Sequence, residues 1–139
     1  MVCYLKDEAP EPIPALEDCG YDHDVWLQLR MKLRKRTGLI VFTGPPNSGK
    51  TISRLACVQH VASAHRKAIS LEREVTGEIE WATRLPIGVD ADIPVTALIK
   101  SALLAEPDVL VLPDITADGV LKPTLRAALA TPPRSGAPG

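Results

Sequence analysis

Short, largely apolar runs alternate along this chain with longer stretches in which apolar residues recur every three or four positions. The short runs predict strands, and continuous Ile, Val and Leu are typical of parallel strands buried on both faces. They lie at residues 39–43, 68–72 and 108–112. The longer stretches predict amphipathic helices at residues 22–36, 50–66, 94–105 and 119–130. Strands alternating with helices predict an α/β protein with a parallel sheet and right-handed crossovers.

Capping and proline signals refine these helices. Asp22 and Asp92 are candidate N-caps. Pro94 is expected in a first helical turn, where its missing N–H costs nothing, and Pro123 in a first turn or at a kink. Residues 78–89 are ambiguous, since either a hairpin or a loop excursion fits the glycines and the proline there.

The proline distribution predicts the domain boundaries. The 13 prolines concentrate toward the two ends of the 139 residues. Residues 1–20 are therefore expected to form a linker, with a short strand at 1–8 left from a preceding domain. Residues 21–131 form the predicted domain, and residues 132–139 a disordered tail.

Composition excludes several classes of protein. A net charge of −1 gives no general attraction to nucleic acid or acidic lipid, so no nucleic-acid partner is expected. The chain has no run of 18 apolar residues, and direct membrane insertion is not expected. The three cysteines lie far apart without a CxxC pair, which argues against zinc and for reduced thiols. These features predict a cytoplasmic protein.

The stretch "GPPNSGKT" carries the clearest chemical signal. It fits the G-x-x-x-x-G-K-[ST] pattern of a phosphate-binding loop, follows a predicted strand and opens a predicted helix. The candidate nucleotide-binding residues are Gly44, Pro45, Pro46, Asn47, Ser48, Gly49, Lys50 and Thr51. Backbone N–H groups of such a loop point at phosphate oxygens, while the lysine reaches the β- and γ-phosphates and Thr51 offers its hydroxyl to Mg²⁺.

Two acids end predicted strands. Glu72 follows "AISL" and Asp114 follows "DVLVLP". In parallel sheets both would lie at the carboxyl edge, where ligands bind in open α/β folds. Both are therefore candidates for catalysis: one acid polarises the attacking water, and the other holds Mg²⁺ or its waters.

With the loop and the acids in place, the chain resembles the secretion ATPases of type II secretion and type IV pilus assembly. "LRKRTGLIVFTGPPNSGKT" is similar to the family's lead-in and Walker A loop. "AISLERE" is similar to its aspartate box, and "EPDVLVLPDI" resembles its region around the catalytic glutamate. The resemblance spans roughly residues 16–130. It implies a P-loop NTPase fold of the RecA-like type, with a parallel sheet flanked by helices and an incomplete core.

The resemblance also implies roles and partners. Lys50 and Thr51 would hold the phosphates and Mg²⁺ of ATP. Glu72 would stand for the first acid of the aspartate box and hold Mg²⁺ through water. Asp114 would replace the glutamate that activates water. A cytoplasmic homo-hexamer, acting with inner-membrane secretion or pilus components, is the implied assembly.

The sequence departs from the family pattern at several positions. Arg73 and Glu74 replace the second acid and the proline of the aspartate box, Pro113 replaces a glycine, and Thr116 replaces an arginine. The chain is therefore expected to be a truncated and divergent nucleotide-binding core with weak or assembly-dependent hydrolysis. The alternatives are a non-catalytic P-loop interaction module of a secretion apparatus and, with less support, a small nucleotide kinase.

Overall fold

The computed structural model of the protein describes residues 12–75, 77–88 and 92–130. A short 3₁₀ helix at Leu16–Asp18 precedes four helices and three strands. In chain order these are α1 His23–Leu33, α2 Lys50–Val61, β1 Ala68–Glu72, β2 Ala82–Pro86, α3 Val95–Leu104, β3 Val109–Val111 and α4 Leu121–Leu129.

The three strands form one parallel sheet in the order β2-β1-β3. Ser70 at the centre of β1 pairs with Arg84 on one side and with Val111 on the other. All residues of β1 are buried, as its central position requires. The α/β class, the parallel sheet and the strand at residues 68–72 are confirmed.

Alternation along β1 divides the core between the two faces of the sheet. Ala68 packs with α2 residues on one face, in a cluster that includes Leu55 and Val58. Leu71 packs on the other face against Ile99 of α3. Since side chains at i and i+2 share a face of a strand, Ser70 and Glu72 lie on the α2 side. The site chemistry described below therefore lies between α2 and the sheet.

Residues 39–43 form no strand of this sheet. The prediction of a strand buried on both faces is wrong, because no residue of the segment pairs with the three described strands. Leu39, Ile40 and Val41 are 42%, 39% and 52% exposed. Phe42 alone is half-buried, and it packs against the cluster on the outer side of α2. An apolar run has two buried faces only where neighbouring elements cover it, which its own pattern does not specify.

The ambiguous region at residues 78–89 contains β2. This strand runs parallel to β1, so neither a hairpin nor a structureless excursion describes it. Its residues are half-buried or exposed, as an edge strand's are. The missing alternation and the terminal Pro86 concealed the strand, although a proline is tolerated at an edge.

The helices begin and end somewhat inside the predicted ranges. α1 ends at Leu33 and α2 at Val61, several residues before the predicted ends. Asp92 is not an N-cap, because Pro94 occupies that position with an extended backbone, at φ −67° and ψ 142°. Pro123 lies in the first turn of α4, as expected. Periodicity identifies a helix well and its ends poorly, because terminal turns carry few packed residues.

Two predictions concern residues that are not described, the strand at residues 1–8 and the tail at residues 132–139. Within the described ranges, no helix combines the length and the apolarity needed to cross a bilayer.

Candidate functional site

The loop at residues 44–49 leads directly into α2. Gly49 occupies the N-cap position in the left-handed region, at φ +83°, where a side chain is strained. At Gly44 the constraint is space, because a Cβ there would lie 2.8 Å from the Ser48 hydroxyl oxygen. The two fixed glycines of the motif thus allow the loop to fold back on itself at the start of the helix.

Lys50 closes this loop. Its ammonium donates to the carbonyl oxygens of Gly44, at 2.9 Å, and of Pro45, and lies 3.3 Å from the Ser48 hydroxyl. Within the described ranges, none of the backbone–backbone hydrogen bonds outside the helices and strands has its donor among residues 47–51. Loop donors, the lysine and the positive end of the helix dipole are therefore gathered at one exposed surface, an arrangement suited to an anion.

Glu72 lies at the carboxyl end of β1 and is only 1% exposed. Arg84 of β2 holds it in a two-pronged ion pair: Nε donates to Oε1 at 2.8 Å, and Nη2 donates to Oε2. Burial raises the pKa of Glu72, but the hydrogen bonds and charge of Arg84 outweigh burial and hold the pKa below its usual range. The carboxylate is therefore ionised and fully engaged by the neighbouring strand.

Arg54 joins α2 to the carboxyl edge of the sheet. Its Nη1 donates to the Leu112 carbonyl at 3.1 Å, immediately after β3 and two residues before Asp114. Its Nε is buried and has no hydrogen-bond partner among the residues that the structure describes. Burial lowers the pKa of Arg54, while the Glu72 carboxylate raises it and Arg84 lowers it further. Two guanidinium groups thus act on one buried carboxylate.

Asp114 lies beyond β3, where its side chain caps a tight local turn. Its Oδ1 accepts hydrogen bonds from the Thr116 N–H and hydroxyl, both at 2.7 Å. These bonds lower the pKa of Asp114, and the positive charge of Arg73 acts in the same direction. Asp114 is therefore ionised, with one oxygen engaged locally and a basic neighbour.

The structure places the predicted site residues at one edge, in two groups. The loop with Lys50 and Thr51 opens α2, and Arg54 of that helix reaches the strand end that precedes Asp114. Glu72 shares the edge but faces Arg84. The roles assigned to the loop residues, Asp114 and Glu72 stay predictions.

Two residues of this edge, Arg54 and Arg84, were missed from the sequence. Arg54 lies on the same helical face as Val58 and Val61, which are both buried. This spacing could have indicated that the arginine faces inward. Arg84 lay in the ambiguous region at residues 78–89, for which the alternatives were a hairpin and a loop excursion.

The donor set fits a magnesium ion only in part. Thr51 is exposed at the first turn of α2 and would offer its hydroxyl to Mg²⁺. Both oxygens of Glu72 accept from Arg84, and one oxygen of Asp114 accepts from Thr116. Within the described ranges, no group of three or more His, Cys, Asp or Glu residues has the arrangement of a metal site.

A parallel sheet between helices, with a glycine-bounded loop opening α2, defines an α/β protein. The pilus retraction motor PilT, solved with bound ADP, has this fold: it matches with a TM-score of 0.72 at 23% identity. The match covers 87% of this chain and 35% of the PilT chain.

The sequence profile of the type II/IV secretion system protein family matches residues 5–131. The chain therefore belongs to this family, and the resemblance seen in the sequence is confirmed.

Curated relatives include the type IV pilus assembly ATPase PilB of Thermus thermophilus, 24% identical over 117 residues, and the competence protein ComGA of Bacillus subtilis, 28% identical over 119 residues. The type II secretion system protein E of Dickeya dadantii is 26% identical over 100 residues. These matches cover 84%, 84% and 72% of this chain, and the chain spans 13%, 33% and 20% of the respective relatives.

Proposed function

We propose that the chain is the ATP-binding core of a secretion or pilus-assembly ATPase, with the phosphates held by residues 44–51. The observation that carries this proposal is the position of Lys50, whose ammonium lies at the mouth of a glycine-bounded loop at the start of a helix. On binding, the ammonium would exchange the carbonyls of Gly44 and Pro45 for phosphate oxygens. Membership of the family supports ATP as the nucleotide.

The proposal includes a magnesium ion, for which Thr51 is the candidate ligand. When bound, the ion would neutralise part of the charge on the phosphates and polarise them for hydrolysis. The hydroxyl of Thr51 would hold it. Asp114 would orient the attacking water, and the Thr116 bonds and the Arg73 charge would weaken it as a base. Slow hydrolysis, or hydrolysis that depends on assembly, follows from this arrangement.

The assembly is proposed from the family. Family membership favours a cytoplasmic hexamer that acts with inner-membrane secretion or pilus components. The arrangement of this chain is compatible with such a role because its loop and Asp114 are accessible, so that a neighbouring subunit could reach them.

The test is direct measurement of ATP binding by isothermal titration. Lys50→Ala should lower the affinity at least about tenfold, because a charge-assisted contact to phosphate is lost. Lys100→Ala, which removes an exposed lysine on α3, is the matched control and should leave the affinity unchanged. Equal loss in both variants, or undetectable binding to the wild-type chain, would refute the proposal.

A second function, the non-catalytic interaction module, is favoured by a separate observation. Glu72 is engaged by Arg84, and Asp114 is engaged by Thr116, so both candidate acids already serve the fold. The module predicts ATP binding without phosphate release at any protein concentration. Release that requires Asp114 would exclude the module.

A further inference from the structure

The ion pair between Glu72 and Arg84 follows from the register of the sheet. Arg84 pairs directly with Ser70, so Glu72 lies two residues further along the neighbouring strand and on the same face. Such diagonal neighbours lie about 7–8 Å apart between backbones, within reach of a long side chain. The parallel register therefore directs the guanidinium of Arg84 along the edge of the sheet onto the carboxylate.

Arg84 is itself held in place from two directions. Two of its nitrogens donate to Glu72, and its Nη1 donates to the Gly77 carbonyl at 2.7 Å. Its side chain is 6% exposed and that of Glu72 is 1% exposed. The pair thus fastens the loop after β1 to β2 and leaves no oxygen of Glu72 facing solvent.

Arg54 adds a second positive charge from the other side. Its guanidinium is anchored on Leu112 and lies near enough to Glu72 to favour the ionised carboxylate. The group of Arg54, Glu72 and Arg84 combines two partly buried cations with one buried anion. The negative charge of Glu72 is therefore already compensated within this group, and the carboxylate offers a metal ion little attraction.

We propose that Glu72 is a structural anion withheld from metal by Arg84, its positioning residue. The negative charge of bound phosphates at this edge is consequently compensated by protein side chains, and Glu72 does not help to hold Mg²⁺. The inference rests on the proposed function for its ligand, ATP. It differs from the expectation drawn from the family pattern, in which this acid holds Mg²⁺ through water.

The test compares ATP affinity in excess Mg²⁺ and in EDTA for the wild-type chain and for Glu72→Gln/Arg84→Gln. The double variant removes both charges of the pair, so neither partner is left without the other; Gln matches Glu in shape and is shorter than Arg. The affinity in Mg²⁺ divided by the affinity in EDTA should agree within about twofold between the wild-type chain and the double variant. Thr51→Val is the control for magnesium binding. If Mg²⁺ strengthens ATP binding to the wild-type chain, this variant should show a smaller gain in affinity from Mg²⁺.

An acid that holds Mg²⁺ through water would give a different result in this comparison. Loss of such a group weakens metal affinity by about 10–100-fold. If the double variant loses most of the magnesium dependence shown by the wild-type chain, Glu72 serves the metal and the proposal is overturned.

A second measurement separates this inference from the proposed function. In urea unfolding, Arg84→Gln alone should be less stable than the double variant, because it keeps the buried charge of Glu72 and removes the two hydrogen bonds that Arg84 donates to it. Equal midpoints for the two variants would refute the structural pairing. If no variant and not even the wild-type chain binds ATP, the proposed function fails, and the unfolding comparison alone decides the role of Glu72.

Discussion

Glu72 and Arg84 show how a single buried contact changes the meaning of an acid. The carboxylate follows an apolar strand, as a metal-supporting acid would, yet it faces an arginine on the adjacent strand. Removing one partner of a buried pair costs about 3–5 kcal/mol, since the other charge stays buried and uncompensated. The contact therefore makes a testable contribution to stability.

The pair predicts a specific pH dependence of stability. The folded-state pKa of Glu72 is lowered, so its contribution is complete above the ordinary glutamate pKa of about 4.3 and is lost as pH falls through the folded value. Urea unfolding at pH 7 and pH 3 should show a larger acid-induced loss for the wild-type chain than for Glu72→Gln/Arg84→Gln. Parallel losses in the two proteins would contradict the prediction.

Asp114 permits a prediction about catalysis. Asp114→Glu lengthens the side chain by one carbon–carbon bond, about 1.5 Å. A misplacement of about 1 Å can cost on the order of a hundredfold in rate, so the longer acid should raise phosphate release from ATP about tenfold or more. Asp118→Glu makes the same change at an exposed acid nearby and should have no effect. Unchanged release in Asp114→Glu would show that side-chain length is not limiting.

At the scale of elements, α1 depends on a contact from outside the helix. Arg66 donates to the carbonyl oxygens of Leu33, at 2.6 Å, and Lys35, at 3.0 Å, just where α1 ends. It thus satisfies terminal carbonyls that the helix itself leaves without donors. The basic run at residues 34–36 lies beyond this end.

Arg66→Met should lower the free energy of unfolding by about 1–2 kcal/mol, the scale of hydrogen bonds to a charged group. Hydrogen exchange should accelerate in the last turn of α1. Arg36→Met removes an exposed charge from the same region as a control and should change the free energy of unfolding by about 0.5 kcal/mol or less. The prediction fails if the two variants are equally stable.

The elements differ in how far their own residues specified them. β1 was predicted with its observed bounds, because a run buried on both faces has a clear apolar signal. β2 was not, because an edge strand packs on fewer sides and lacks that signal. The run at residues 39–43 has the strongest strand pattern and no partner within the described sheet.

At the scale of the whole molecule, exposed apolar side chains of the described residues include two groups that lie near each other. One is formed by Leu39, Ile40 and Val41. The other is the face of α4 with Leu121, Leu125 and Leu129, which are 49%, 41% and 79% exposed. A hydrogen bond from the Gly38 N–H to the Ala128 carbonyl connects the two regions. Exposed apolar patches of this kind promote association.

The purified chain should therefore self-associate at micromolar concentration. Ile40→Lys/Leu125→Lys should shift sedimentation toward the monomer without a large loss of stability, since both side chains are substantially exposed. Met31→Lys, at a 68% exposed position on α1, is the control and should not shift it. A wild-type chain that sediments as a monomer at all concentrations would contradict the prediction.

The sequence by itself determined the α/β class, the helices, the central strand and the loop–helix junction of the phosphate motif. These depend on short-range patterns, namely apolar spacing and glycines at fixed positions. Only the tertiary structure decided which strands pair, that Arg84 reaches Glu72, and that Arg54 reaches the strand end before Asp114. Those contacts join residues distant along the chain, and a side chain's partner depends on register and burial, which no local pattern specifies.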